Sequence, residues 1–216
     1  MSTALASLLR WRLIPVVSIA DLDKALPLAD ALTEAGLPCA EITLRTDAAL
    51  EAIALLSQRE GFTVGVGTVH SYRDAEAACA AGARFVVTPG LNPRTVQWCQ
   101  QHGVPVLPGI ATPSDLESAM ELGVSCVKFF PAEPLGGVRF LKALAGPYAE
   151  MRFVPTGGIC RENLLEYLKL PGVVACGGSW MVRRAWLEAG DFARVTKETA
   201  AALKMIAEAF EEPGGE

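Results

Sequence analysis

Five glycines recur at nearly even intervals along the first half of this chain, and each closes an apolar segment. They stand at Gly36, Gly61, Gly82, Gly103 and Gly123, with intervals of 25, 21, 21 and 20 residues. A short run rich in strand-forming residues follows each one, and glycine suits the left-handed position between a helix end and a new strand. Repeated strand-and-helix units of this length predict parallel strands with right-handed crossovers.

The strand-forming runs predict eight strands. They fall near residues 13–18, 37–43, 62–66, 84–88, 104–107, 124–129, 152–155 and 173–176. Eight strands that alternate with helices predict an α/β fold, a closed (β/α)8 TIM barrel with short loops. An open doubly wound sheet is the alternative, but such a sheet commonly carries a G-x-G-x-x-G turn after strand 1, and VVSIADLDKA has none. No linker divides the chain, so we expect a single compact domain over residues 1–216 with a frayed tail at about 212–216.

The charge distribution disfavours nucleic acid and membrane as partners. The chain has 19 Lys+Arg and 24 Asp+Glu, a formal net charge of -5, without the basic excess typical of nucleic-acid binders. The longest stretch without charged residues, 95–114, contains three glutamines and three prolines, which disfavours a membrane span. The N-terminal segment MSTALASLLRWRLIPVV lacks a basic region ahead of its apolar stretch, which disfavours a secretory signal. We therefore expect a cytoplasmic protein.

The cysteines and histidines give no pattern for a bound metal. None of the six cysteines forms a C-x-x-C pair, and the two histidines, His70 and His102, lie far apart in the sequence. Four cysteines lie in apolar segments, as is typical of buried free thiols in a cytoplasmic protein. The sequence therefore predicts a reaction that needs no metal.

Polar side chains alternate with apolar ones along the second predicted strand, CAEITLR. Glu41, Thr43 and Arg45 lie on one face, while the opposite, apolar face suits the helix layer. A carboxylate and a guanidinium are therefore predicted at the mouth of the barrel, where this fold carries its chemistry. The alternative is that the two charges form a structural ion pair.

A lysine interrupts the sixth predicted strand, VSCVKFF. Lys128 lies between a valine and two phenylalanines, where desolvation favours the uncharged amine. An uncharged amine is the nucleophile that Schiff-base chemistry requires. The alternative is a lysine whose stem lies along apolar surface while its amine reaches water.

Small residues end four of the predicted strands. Thr-Gly-Gly at 156–158 and Gly-Gly-Ser at 177–179 follow strands 7 and 8. Barrels often bind phosphate at these two loops, because backbone N–H groups without side chains can converge on an anion. Plain tight turns are the alternative. Strands 3 and 4 end near Thr68 and Pro89, which leaves room for a substrate close to the backbone.

The motifs EITLRT, GVGTV, TPG, LPGIATPSDL, VKFFPAE, GPY, PTGGI and GGSW occur in this order. In order and spacing the chain resembles the 2-keto-3-deoxy-6-phosphogluconate (KDPG) and 4-hydroxy-2-oxoglutarate aldolase family over about residues 14–191. The resemblance implies a class I lyase of the Entner–Doudoroff pathway that needs neither metal nor other cofactor. It also implies a (β/α)8 barrel that assembles as a homotrimer.

The resemblance also assigns roles to residues of the catalytic pocket. Lys128 of VKFFP matches the lysine that forms the Schiff base, and Glu41 of EITLRT matches the acid/base carboxylate. Arg45 matches the arginine that holds the keto-acid carboxylate, while Thr68 of GTV and Pro89 of TPG match the pyruvate pocket.

A second set of matches concerns the far end of the substrate. Thr156 of PTGGI matches the contact to the hydroxyl chain, and the phosphate site matches Gly157, Gly158, Gly178 and Ser179. The implied reaction cleaves KDPG to pyruvate and D-glyceraldehyde 3-phosphate. Two sister substrates stay open, 4-hydroxy-2-oxoglutarate and 6-phospho-2-dehydro-3-deoxygalactonate. So does a non-catalytic sugar-phosphate-binding barrel, although that function would leave Lys128 and Glu41 without a purpose.

Overall fold

The strands of this protein are short and lie parallel to one another. The computed structural model describes residue 6 and residues 8–210, so the predicted frayed tail lies outside the described residues. The strands are β1 Leu13–Val17, β2 Cys39–Thr43, β3 Thr63–Gly67, β4 Val86–Val87, β5 Val106–Leu107, β6 Gly109–Ile110, β7 Cys126–Phe129, β8 Arg152–Pro155 and β9 Cys176–Gly178. Every strand pairing within the described residues is parallel, as the repeated units predict.

The strands form a six-stranded sheet in the order β5-β4-β3-β2-β1-β9 and a three-stranded sheet in the order β6-β7-β8. Pro108 separates β5 from β6, so these two strands correspond to the one strand predicted near 104–107 and its continuation. One isolated bridge joins Phe153 on β8 to Val173, ahead of β9, and a second joins Thr156, which follows β8, to Gly177 on β9. The last strand begins at Cys176 rather than at residue 173 as predicted, because residues 173–175 pair with β8 through the single bridge at Val173.

Helices cover the strands on the outside and follow them in alternation. They are α1 Ala25–Glu34, α2 Ala49–Ser57, α3 Tyr72–Ala80, α4 Pro93–Gln101, α5 Pro113–Glu121, α6 Gly137–Ala145, α7 Leu164–Leu168, α8 Arg184–Ala189 and α9 Phe192–Phe210. The five evenly spaced glycines all have positive φ. Four of them directly follow the C-cap residue of a helix. Gly61 is the exception, since α2 ends at Ser57 and the glycine closes the turn that follows.

The buried apolar side chains form one hydrophobic cluster among the described residues. Few polar side chains are buried, and most of these lie in a strand or directly after one, including Glu41, Thr43, Thr88, Lys128 and Thr156. Such groups are costly to bury unless a partner or a ligand meets them. Within the described residues, no helix combines the length and the apolar character that a membrane crossing needs.

The prediction of buried free thiols is confirmed for four cysteines. Cys39, Cys99, Cys126 and Cys176 are buried and free, while the other two are half-buried and free. Burial raises the pKa of the Cys39, Cys99 and Cys126 thiols to about 12, because an apolar surrounding disfavours the thiolate. Burial raises the pKa of Cys176 as well.

Candidate active site

Two opposite charges meet in the interior of the molecule, on strands that belong to different sheets. The Nζ atom of Lys128 on β7 lies 3.5 Å from Oε1 of Glu41 on β2, and the two side chains are 6% and 3% exposed. The lysine amine does not reach solvent, contrary to one alternative suggested by the sequence, and Glu41 forms an ion pair with Lys128 rather than with Arg45. A buried pair of this kind costs desolvation energy, which favours a functional role over a stabilising one.

Space for the Glu41 carboxylate comes from a glycine on the neighbouring strand. A Cβ atom at Gly67 would lie 2.0 Å from Oε1 of Glu41, so no larger residue fits there without displacing the carboxylate. Oε1 is buried and has no hydrogen-bond partner among the described protein atoms. An oxygen in that position can accept a hydrogen bond from a bound molecule. Sequence analysis missed Gly67 as a site residue, although a glycine inside a strand is a signal of close approach.

The surroundings of the Lys128 amine are largely apolar. The amine lies 5.1 Å from the centre of the Phe130 ring, and the neighbours of Lys128 across the sheet are Gly109 and Val154. The amine is therefore held next to one carboxylate in apolar surroundings that admit little water, the buried pocket.

The ends of β3 and β4 flank this pair. Thr68 follows Gly67 directly and has a positive φ of 60°, a strained backbone position for a non-glycine residue. Pro89 lies against Gly109, where a Cβ atom would be 2.2 Å from the Pro89 carbonyl oxygen. Thr68 thus follows the glycine that approaches Glu41, and Pro89 packs against the glycine paired with Lys128.

An open cleft of about 740 Å³ lies at the carboxyl ends of the strands. Its lining brings together three of the residues predicted as binding residues, Arg45, Gly158 and Ser179. It also contains Arg183 and Arg184, which sequence analysis did not single out, and it includes no aspartate or glutamate. A cleft lined by one sign of charge attracts a ligand of the opposite sign, so this region can bind an anion.

The glycines of the two double-glycine turns have structural reasons of their own. Gly157 and Gly158 have φ values of 96° and 84°, and a Cβ atom at Gly158 would lie 2.6 Å from Cβ of Glu133. Gly178 is buried, and its Cβ would lie 1.9 Å from the ring of Trp180. These contacts require glycine whether or not an anion binds, so the glycines alone do not identify a phosphate site.

Comparison with known proteins connects this geometry to a family. The family model for KDPG and KHG aldolase matches residues 5–198. A 2-dehydro-3-deoxy-phosphogluconate aldolase from Treponema pallidum is 50% identical over 207 residues, which cover 95% of this chain and 99% of the relative. The KHG/KDPG aldolase of Escherichia coli K12 is 42% identical over 185 residues, 85% of this chain and 87% of the relative. This chain belongs to the KDPG and KHG aldolase family.

A solved structure of a KDPG aldolase agrees with the membership. The enzyme from Legionella pneumophila superposes with a TM-score of 0.89 at 37% identity and covers 93% of this chain and 98% of its own. That crystal structure holds pyruvate captured as a covalent carbinolamine intermediate. The KDPG and KHG aldolase family thus includes a member in which pyruvate is bound covalently.

Two groups of the residues predicted from the family motifs emerge from the structure. Lys128 and Glu41 lie in the buried pocket, and Arg45 and Ser179 lie in the open cleft. Thr156 is buried directly after β8, and its backbone bridges to Gly177 at the start of the second double-glycine turn. The first group therefore lies within the strands, and the second lies at their carboxyl ends.

Proposed function

We propose that this protein is a class I aldolase that cleaves KDPG to pyruvate and D-glyceraldehyde 3-phosphate. The observation that carries the proposal is the buried amine of Lys128, 3.5 Å from the Glu41 carboxylate. Covalent catalysis through an amine needs a nearby group that moves protons, and the pair supplies both. The relatives named as KDPG aldolases support the choice of substrate.

The first half of the reaction takes place at Lys128. Glu41, directly or through a water molecule, takes a proton from the Lys128 ammonium, and the resulting neutral amine attacks the C2 ketone carbon of the substrate. Glu41 then gives this proton to the hydroxyl of the carbinolamine, which leaves as water, and an iminium remains. The positively charged iminium then withdraws electrons from C3, so the lysine serves as the electron sink and the step needs no cofactor.

Cleavage follows from the same arrangement. Glu41 removes the proton of the C4 hydroxyl, the C3–C4 bond breaks, and its electron pair moves into the enamine on Lys128. Glyceraldehyde 3-phosphate leaves, and protonation and hydrolysis of the enamine release pyruvate. We assign Arg45 to the substrate carboxylate as a bidentate partner and Thr68 and Pro89 to the walls of the pyruvate pocket.

The far end of the substrate lies in the open cleft in this proposal. Thr156 contacts the hydroxyl chain, and the phosphate binds at Gly157, Gly158, Gly178 and Ser179. The absence of acidic side chains from the cleft lining supports an anionic group there.

The wider architecture is part of the same proposal. We infer that β5 and β6 act as one strand, and that the bridges between β8 and the β9 segment close an eight-stranded (β/α)8 barrel. The single buried cluster supports one domain over the chain. The family resemblance supports a homotrimer, and the free thiols support a reducing cytoplasm.

A second substrate has support of its own. The Escherichia coli relative is named for both KHG and KDPG, so cleavage of 4-hydroxy-2-oxoglutarate by the same lysine is the second candidate activity. A solved structure described as KDPGal matches at 26% identity with a TM-score of 0.83, which keeps the galactonate epimer as a third substrate to assay.

Chemical trapping tests the proposed reaction. Protein incubated with pyruvate and sodium borohydride should gain one reduced pyruvate adduct, and peptide mapping should locate it at Lys128. Borohydride without pyruvate is the control. An unmodified Lys128, together with no pyruvate release from KDPG in a coupled lactate dehydrogenase assay, would reject the aldolase function.

A further inference from the structure

The arginines at the outer side of the cleft are not explained by the family motifs. Arg183 and Arg184 lie in the cleft lining with Ser179 and Gly158, and no carboxylate lines the same space. The chain as a whole has a net charge of -5. A local excess of positive charge on a protein of net negative charge attracts anions to that place specifically.

The two arginines differ in their partners. Nε of Arg184 lies 2.6 Å from Oε1 of Glu188, one turn further along α8. Arg183 has no carboxylate oxygen within 4.0 Å among the described residues. Its guanidinium instead lies 5.2 Å from the centre of the Trp186 ring, a contact that leaves the N–H donors free for an anion.

Two further observations connect Arg183 to the region predicted to bind phosphate. A short 3-10 turn, Trp180–Val182, links it to Ser179, and the backbone N–H of Val182 donates to the Ser179 carbonyl. Across the cleft, a hydrogen bond from Cys160 lowers the pKa of Glu162, and the charges of Arg161 and Arg183 lower it further. Arg183 therefore interacts electrostatically with Glu162, an exposed carboxylate outside the cleft lining, so an anion bound at Arg183 must compete with that charge.

We propose that Arg183 is a specificity residue that binds the phosphate end of the substrate and selects phosphorylated keto-acids over their unphosphorylated counterparts. The inference rests on the proposed function, since that function places the phosphate in this cleft. Arg45 then holds the carboxylate at one end of the substrate, and Arg183 holds the dianion at the other end. A charge-assisted contact to phosphate is among the stronger hydrogen bonds in proteins.

Paired substrates and paired variants test the proposal. The measurement is kcat/KM for KDPG and for the same six-carbon keto-acid without phosphate, in the parent, Arg183→Gln and Arg194→Gln. Arg183→Gln should lower kcat/KM for KDPG by roughly 10- to 100-fold and change it by less than about twofold for the unphosphorylated acid. Arg194→Gln is the matched control, because this exposed arginine contacts the same Trp186 ring but lies outside the cleft lining, and it should lose less than about threefold on either substrate.

Three results would overturn the assignment: equal losses of Arg183→Gln on both substrates, no loss on KDPG, or equal losses from the two arginine variants on KDPG. Arg183→Lys should recover part of the loss, since it restores the charge without the planar fork.

A binding measurement separates this inference from the proposed function. Calorimetry with inorganic phosphate should give a dissociation constant about tenfold or more higher for Arg183→Gln than for the parent. Equal affinities reject the role of Arg183 even if the parent cleaves KDPG. A parent that binds phosphate through Arg183 but cleaves neither keto-acid would reject the aldolase function and leave the phosphate contact supported.

Discussion

The buried pocket lies within the strands and the open cleft at their carboxyl ends, and the two differ in almost every physical respect. The Lys128 and Glu41 side chains are 6% and 3% exposed, whereas Arg45, Ser179 and Arg183 are exposed. Bond making at an amine benefits from a dry surrounding in which the charges act strongly on each other. A phosphate group is hydrated, and an exposed cleft lets it approach. In the proposed function, the buried pocket carries out the reaction and the open cleft binds the anionic end of the substrate.

The strongest way to break this comparison is to remove the amine. Lys128→Met should reduce KDPG cleavage to background and abolish borohydride trapping, because methionine fills the space but cannot form a Schiff base. It also leaves the Glu41 carboxylate without its partner, which should lower the free energy of unfolding by about 3–5 kcal/mol.

Thermal melting checks the expected loss of stability. The double variant Lys128→Met/Glu41→Gln has no unpaired carboxylate, so it should be more stable than Lys128→Met alone. Turnover by Lys128→Met within tenfold of the parent would reject the lysine as nucleophile.

Removal of the carboxylate should have the next largest effect. Glu41→Gln keeps the size and the hydrogen-bonding capacity of the side chain but cannot transfer a proton, so we expect a loss of roughly 10²- to 10⁴-fold in kcat. Steady-state kinetics on KDPG and on an unphosphorylated keto-acid should show similar losses, because the change lies in the buried pocket. Normal turnover would return Glu41 to a purely structural role.

A smaller test displaces the carboxylate without changing it. Gly67→Ala introduces a Cβ atom at the place where Oε1 of Glu41 lies, and the resulting shift should cost roughly 10- to 100-fold in kcat. Gly90→Ala is the matched control, since a Cβ atom there meets no other atom within 4 Å. Unchanged kcat in Gly67→Ala would mean that the position of Glu41 does not limit the reaction.

The open cleft is tested by a change that spares the glycines. Ser179→Asp adds a negative charge on an exposed side chain of the cleft. Substitution of Gly178 would also displace the Trp180 ring, so a loss of activity could come from disturbed packing as well as from charge repulsion. We expect kcat/KM for KDPG to fall by roughly tenfold or more, with little change for the unphosphorylated acid. Equal losses on both substrates would show that the cleft does not recognise the phosphate group.

The last prediction concerns stability at alkaline pH, which tests directly whether the cysteine thiols are buried. Burial raises the pKa of the Cys39, Cys99 and Cys126 thiols from 9.0 to about 12. Above about pH 9 the unfolded chain therefore binds fewer protons than the folded protein, and the free energy of unfolding should fall as the pH rises. The slope is about 1.4 kcal/mol per pH unit for each thiol.

Urea denaturation at pH 7, 8, 9 and 10 measures this slope. Cys160 in the cleft should meanwhile react with a thiol reagent in the folded protein, ahead of the buried thiols. Stability that is constant up to pH 10 would contradict the burial of these groups.

The sequence singled out Lys128 because it interrupts an apolar strand, and Glu41 because it lies on the polar face of an alternating one. It could not predict that Lys128 and Glu41 lie 3.5 Å apart, since that distance depends on how strands from two sheets face each other. Helix ends and strand positions followed from glycine spacing and apolar runs, because those signals are local. The break at Pro108 and the contact between Gly178 and Trp180 depend on tertiary packing, so local patterns did not reveal them.

Strand β1 pairs with β9 through Leu13 and Cys176, so one strand of this pair is synthesised long before the other. A nascent chain that has already made both Glu41 and Lys128 still lacks the strand that covers one edge of β1. An open edge of apolar residues can pair with other chains. Premature termination before residue 176 should therefore yield products that aggregate and require chaperones, although the codons for Glu41 and Lys128 have been read.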